Sequence, residues 1–155
     1  MATAHINIGS NIGDRLSLLR KAVAAVELAF NTKAVCSGPI ESEPWGFDSP
    51  NGFINIGINI EVGNMEPIEV LRKLLAAQST VDSSPHRNAD GGYIDRLIDI
   101  DLIAIDEIVI NTEELTLPHP RMHLREFVLL PMSELLPTWC HPLLHATTAE
   151  LLRRL

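Results

Sequence analysis

An α+β fold is what the sequence predicts, on three observations. Apolar residues alternate along His5-Ile6-Asn7-Ile8-Gly9 and along 53–62, as they do in strands with one buried face. Two other stretches, 14–30 and 66–78, repeat apolar residues every three or four positions, the period of a helix with one buried stripe. In chain order these patterns run strand, helix, strand, strand, helix, strand. That is the split βαβ order of a ferredoxin-like βαββαβ sandwich, here with an added hairpin strand and C-terminal helices. A chain of 155 residues suits one domain, 1–155, around a single core.

The first strand leads into a turn, Ser10-Asn11-Ile12-Gly13-Asp14. Leu16, Leu19, Val23, Val26 and Phe30 then mark a helix over 14–30, with Asp14 suited to its start by capping or by the helix dipole. The turn at 9–13 has neither Gly-Lys-Ser/Thr nor Gly-x-Gly-x-x-Gly, so it is no P-loop and no dinucleotide fingerprint. It is either a tight connection or one that shapes a ligand pocket. Residues 34–40 suggest a second strand interrupted at Gly38-Pro39. The loop 43–52 carries Trp45 and Phe47 among prolines and glycines; large aromatics in a loop cover something, either the body of the fold or a flat ligand. In 53–62, Ile54, Ile56, Ile58, Ile60 and Val62 form the core face. Phe53, Asn55, Gly57, Asn59 and Glu61 form the other, where an aromatic and an amide could hold a heterocycle or be ordinary surface.

Glu66-Pro67 opens the second helix, proline suiting its first turn. Ile68, Leu71, Leu74 and Leu75 give the stripe, and Gln78 lies near the end. Residues 80–92 show no periodicity and have the length of a lid, with Arg87 their only strongly basic residue. A buried strand follows from Leu97. After it, Asp106-Glu107 turns into Ile108-Val109-Ile110, expected to be its hairpin partner. Leu117-Pro118-His119-Pro120-Arg121 must be non-helical, because each proline pushes its predecessor to extended geometry. A helix is expected over 124–136, and a short last one capped by Thr148.

The Leu97 strand carries the chemistry. Asp99 and Asp101 share one face and Ile98, Ile100 and Leu102 the other, so the two carboxylates stand roughly 6.5–7 Å apart at their Cα atoms. Two like charges that close raise each other's protonation cost unless a cation sits between them. Oxygen ligands in this number suit Mg²⁺, which completes its shell with water and substrate phosphates. The alternative is two acids on a solvated face; Arg96, three residues before Asp99, favours a polyphosphate site. His119 and His123, or His141 and His145 beside Cys140, have zinc-like spacing, but Pro118, Pro120 and Pro142 break the helices that would bring each pair together. His119 is better read as a phosphate contact or a structural histidine.

A net charge of −8 argues against nucleic acid and requires an anionic substrate to be met by a few placed cations or by metal. No apolar run approaches the roughly 20 residues that span a bilayer. The N-terminal residues lack a signal-peptide pattern, and two cysteines are too few for a disulfide scaffold. The expectation is a cytoplasmic monomer with no membrane and no nucleic-acid partner.

Several stretches together resemble the 6-hydroxymethyl-7,8-dihydropterin pyrophosphokinase family of folate biosynthesis. They are Ile8-Gly9-Ser10-Asn11-Ile12-Gly13-Asp14-Arg15, Phe53-Ile54-Asn55, Asp95-Arg96-Leu97-Ile98-Asp99-Ile100-Asp101, Leu115-Thr116-Leu117-Pro118-His119-Pro120-Arg121 and Arg125-Glu126-Phe127-Val128-Leu129. The resemblance implies transfer of pyrophosphate from ATP to the pterin hydroxymethyl group, releasing AMP. It implies that Asp99 and Asp101 hold two Mg²⁺ ions, with Arg96 and Arg87 also catalytic. Gln78, Arg96, Leu102, Thr116, His119 and Arg125 would bind ATP. Ser42, Pro44, Trp45, Phe53, Asn55, Tyr93 and Phe127 would bind the pterin. Where many members carry Gly-Arg-x-Arg, this chain reads Ser83-Ser84-Pro85-His86-Arg87-Asn88, leaving Arg87 to serve, with His86 beside it. Two other readings stay open: a non-catalytic ferredoxin-like module binding a ligand or single-stranded RNA, and a degenerate homologue that binds pterin without turning it over.

Overall fold

The computed structural model describes residues 2–42, 52–82 and 97–155. Its main sheet is built from β1 (Ala2–Ser10), β2 (Val35–Cys36), β3 (Ile40–Ser42), β4 (Phe53–Gly63) and β5 (Asp99–Ile105). The order is β2-β4-β1-β5, with β3 also on β4, and all the pairs are antiparallel. Helices α1 (Arg15–Phe30) and α2 (Pro67–Val81) are the two crossovers, so the order expected of a ferredoxin-like sandwich is met. β2 and β3 are two pieces of one edge strand, interrupted at Gly38-Pro39 as expected. Across the gap, Ser37 N–H donates to the Gly57 carbonyl at 2.9 Å and Gly57 N–H to Ser37 Oγ at 2.8 Å.

One apolar cluster lies between the sheet and the two crossover helices, with Ile6, Ile8, Ile58, Ile60, Ile100 and Leu102 from the sheet. A second lies on the opposite face, where α3 (Glu126–Leu135) and α4 (Thr148–Arg153) bring Val128, Leu129, Met132 and Leu151 against Ile103 and Ala104. The register between β1 and β5 shifts after His5, so that Leu102 pairs with Ile6 and Ala104 with His5. Ile103 is therefore an extra residue, a β-bulge, and it reverses which side chains face which layer. Asp99 and Asp101 lie before the bulge, on the α3 side and across from Ile100 and Leu102.

The structure corrects four expectations about elements and narrows one reading that was open. Ile110–Asn111 (β6) pairs with Thr116–Leu117 (β7) in a separate two-stranded sheet, and not with β5. The outer edge of β5 is engaged by side chains from the end of α2: Ile100 N–H donates to Gln78 Oε1 at 2.8 Å and Ile98 N–H to Asp82 Oδ2 at 3.3 Å. The helix expected over 124–136 is a 3-10 turn, Met122–Leu124, followed by α3, the two divided at Arg125, which is extended. The last helix is capped by Thr147. Its Oγ accepts from Glu150 N–H at 3.1 Å and its N–H donates to Glu150 Oε1 at 3.1 Å, a capping box that leaves Thr148 inside the helix and buried. In the helical stripes Leu16 and Leu75 are exposed, while Ala22, Val70 and Ala77 are buried, because α1 and α2 pack on each other as well as on the sheet. Finally, Phe53, Asn55 and Gly57 are buried beneath the α3 layer and are not surface.

Candidate active site

Three adjacent strands lay the floor of the site. Gly9 on β1 is opposite Asp99 on β5 and opposite Asn55 on β4, and Asn7 is opposite Asp101 and Gly57. Residues in register share a face. The acid pair and the asparagine therefore look out on the same side of the sheet, two strand spacings or about 10 Å apart. Both aspartates are half-buried. Asn55 is 3% exposed; its Nδ2 donates to Ser42 Oγ at 2.8 Å, and its Oδ1 lies over Gly9. A Cβ on Gly9 would meet that oxygen at 2.6 Å and the Phe53 ring at 3.4 Å. Gly9 thus acts inside the strand, by giving way to the Asn55 amide; the connection to α1 begins only after Ser10.

The start of α3 supplies the opposite wall. Phe127 sits in its first turn, and Arg125, buried, holds its guanidinium carbon 5.6 Å from the Phe127 ring centroid. A cleft of about 500 Å³ opens here, lined by Arg15, Ser42, Gly52, Leu124, Glu126 and Phe127 among others. Arg15 Nη1 donates to the Gly52 carbonyl at 2.8 Å, which ties the start of α1 to the residue before β4. Arg15, Glu126 and Leu124 were not singled out for a site in the sequence, because charged residues in the first turn of a helix and a leucine before one carry no distinguishing pattern. Asn7 was missed because inside a strand it reads only as one polar position of the alternation.

His119 lies near both charge types. Burial, reinforced by the guanidinium groups of Arg125 and Arg121 and opposed by the Asp99 carboxylate, lowers its pKa to about 4. Its Nδ1 accepts from Arg121 N–H at 3.2 Å. The imidazole is therefore neutral at pH 7, with its proton on Nε2 as a donor. The neighbouring His119 N–H is fixed by the Ile103 carbonyl at 2.8 Å, which binds the loop after β7 to the acid-bearing strand.

Other residues expected in the site stand farther from this floor. The Leu102 side chain is in the core under α1 and α2, so from this position only the main chain, on the β5 edge beside Gln78, can meet a ligand. Gln78 spends its side-chain oxygen on that edge. Thr116 is half-buried between two core leucines of the β6–β7 region. Pro44, Trp45, Arg87, Tyr93 and Arg96 lie outside the described residues, as does the 83–92 part of the expected lid.

The donor set fits Mg²⁺. Among the described residues no group of three or more His, Cys, Asp or Glu is placed to hold a metal. His141 Nδ1 is instead taken by the N–H groups of Leu143 and Leu144 at 3.1 Å. Two carboxylates from alternate residues of one strand are what Mg²⁺ takes when substrate phosphates and water complete its shell, as opposed to an all-protein cage.

The model of the 7,8-dihydro-6-hydroxymethylpterin-pyrophosphokinase family matches residues 5–137. The chain is 36% identical over 143 residues to the 2-amino-4-hydroxy-6-hydroxymethyldihydropteridine pyrophosphokinase of Porphyromonas gingivalis, covering 92% of this chain and 95% of that one. It is 35% identical over 133 residues to the enzyme of that name from Bacillus subtilis, covering 85% and 77%. In fold it is similar to the Plasmodium falciparum HPPK-DHPS solved with pteroate, with a TM-score of 0.77 at 12% identity; the match takes 99% of this chain and 44% of that longer one. The chain belongs to the 7,8-dihydro-6-hydroxymethylpterin-pyrophosphokinase family, the ATP-dependent diphosphotransferases that move pyrophosphate from ATP to hydroxymethyldihydropterin in folate biosynthesis.

Proposed function

We propose that the reaction runs across the face where Asp99, Gly9 and Asn55 stand side by side. The dihydropterin lies over Asn55, hydrogen-bonded by the amide and held between Phe53 and Phe127, with Ser42, Pro44, Trp45 and Tyr93 closing the pocket. ATP lies toward β5, with Gln78, Leu102 and Thr116 at its nucleoside end and Arg96, His119 and Arg125 at its phosphates. Enzymes of this family use ATP with Mg²⁺; we assign two ions to Asp99 and Asp101, where they would neutralise phosphate charge and bring the triphosphate to the pterin. The observation that carries this reading is the register: it sets the asparagine and the acid pair about 10 Å apart on one face, the span of a pterin hydroxymethyl meeting a triphosphate.

Within that frame the side chains mainly position and stabilise charge. The hydroxymethyl oxygen attacks the β-phosphorus while AMP leaves in line. Arg125 and the Nε2 proton of neutral His119 offer donors to phosphate oxygens as charge shifts toward the leaving group. Phe127 and the buried Asn55 keep water from one side of the reacting centre, and Arg87 closes the other from the loop before β5. Both apolar clusters share one sheet, which supports a single-domain enzyme, and we assign it as a monomer. Among the described residues no helix is long and apolar enough to cross a membrane. The free Cys36 thiol, exposed on β2, supports placing the enzyme in the reducing cytoplasm.

Two substitutions test the layout. Asn55→Ala is expected to weaken pterin binding by about tenfold or more while MgATP affinity stays within about threefold, and Arg125→Ala to do the reverse. Titration calorimetry with each ligand reads the split. If both variants weakened the same ligand, the two ends of the site would be wrongly assigned.

A further inference from the structure

Helix α3 has in its first turn a carbonyl whose regular partner is missing. In an α-helix the C=O of residue i accepts from the N–H of residue i+4. For Phe127 that residue is Pro131, which has no N–H. The sheet supplies a donor instead: Asn7 Nδ2 reaches the Phe127 carbonyl at 2.9 Å. Asn7 is 3% exposed, in the middle of β1, between Asp101 on one side and Gly57 on the other. Gly57 makes the approach possible, since a Cβ there would lie 2.9 Å from Pro131 Cβ. Bare backbone on β4 lets the buried proline down onto the sheet beside the strand position from which Asn7 reaches up.

We propose that Asn7 is a positioning residue for the pterin end of the site. By replacing the hydrogen bond that Pro131 withholds, it fixes the first turn of α3 against the sheet and so sets the height of the Phe127 ring above the Asn55 floor. Asn7 touches neither substrate; its effect runs through the Phe127 main chain. The inference deepens the pterin assignment above and rests on Phe127 facing that ligand.

The test is a double-mutant cycle that uses the chemistry of the missing N–H. Asn7→Ala removes the sheet donor and should weaken pterin binding about tenfold, with MgATP affinity within about threefold. Pro131→Ala returns an N–H to the i+4 position. In that background Asn7→Ala should cost no more than about threefold. Asn7→Leu, of nearly the same shape but without a donor, should behave as Asn7→Ala and takes its place should the alanine variant fold poorly. Additive effects of the two substitutions, or equal losses for pterin and MgATP, would overturn the positioning role. Phe127→Ala separates the two layers of the argument. If it leaves pterin binding unchanged, the pterin assignment itself falls. If it weakens pterin binding while Asn7→Ala does not, the assignment stands and the role of Asn7 is refuted.

Discussion

Gly9 shows how one residue can matter through what it lacks. It lies inside a strand, at the centre of the site floor, and the Asn55 amide oxygen occupies the space a side chain would need. Gly9→Ala is therefore expected to push the Asn55 amide off its position and weaken pterin binding by about tenfold to a hundredfold, the range of one or two lost hydrogen bonds. Calorimetric titration with pterin checks this; an unchanged affinity would show that Asn55 is not held by that gap. The Asp-x-Asp pair and the Phe-x-Asn pair were legible in the sequence because alternation fixes which side chains share a face. Gly9 was legible only as the junction of the first strand and its turn, and Asn7 as a strand residue. Both act through a neighbouring strand or helix, and register between strands is set by tertiary contacts that no local pattern records.

His5 belongs to the packing of elements on one another. Its ring lies between β1 and α3, with Nδ1 on Asn59 Oδ1 at 2.7 Å and Nε2 buried beside Gly57, without a hydrogen-bond partner among the described residues. Burial lowers its pKa to about 4, with the Asn59 hydrogen bond acting the other way. The unfolded chain takes up this proton near pH 6.5 and the folded one only near 4. The stability His5 contributes is thus whole above pH 6.5 and is lost as pH falls toward 4, on the order of 3 kcal/mol at 1.36 kcal/mol per unit. Urea unfolding of wild type and His5→Gln at pH 7.5 and 4.5 should show the wild type losing most of that amount relative to the variant. A gap that stays constant with pH would mean that the ring is not held neutral beneath α3.

The same level shows where element assignment from sequence stops. The first helix, the interrupted second strand and the isoleucine-rich strand followed from periodicity and from Gly38-Pro39. The hairpin after Ile105 did not, since the β5 edge was already met by Gln78 and Asp82, contacts across 22 and 16 residues of sequence. Nor was the cap of the last helix placed correctly: Thr147 and Thr148 are adjacent, and only Glu150, three residues after Thr147, decides between them.

In the molecule as a whole, a four-position sheet order places one chemically active face between two apolar layers. The α1–α2 layer packs an apolar cluster against the sheet, while the α3–α4 layer covers only part of its face; Asn55 is buried beneath that layer, and the half-buried Asp99 and Asp101 lie where the cover is thinner. With a net charge of −8 the protein as a whole repels ATP, so on the proposed reading the attraction is local and falls to Arg125, His119 and the metal assigned to the two aspartates. The most direct test is AMP release from ATP, Mg²⁺ and hydroxymethyldihydropterin by Asp99→Ala and Asp101→Ala. Each variant is expected to lose turnover by at least about a hundredfold while keeping pterin affinity within about threefold and a wild-type unfolding transition. Turnover within about tenfold of wild type in either variant would contradict the account, because it would leave that acid with no part in the chemistry.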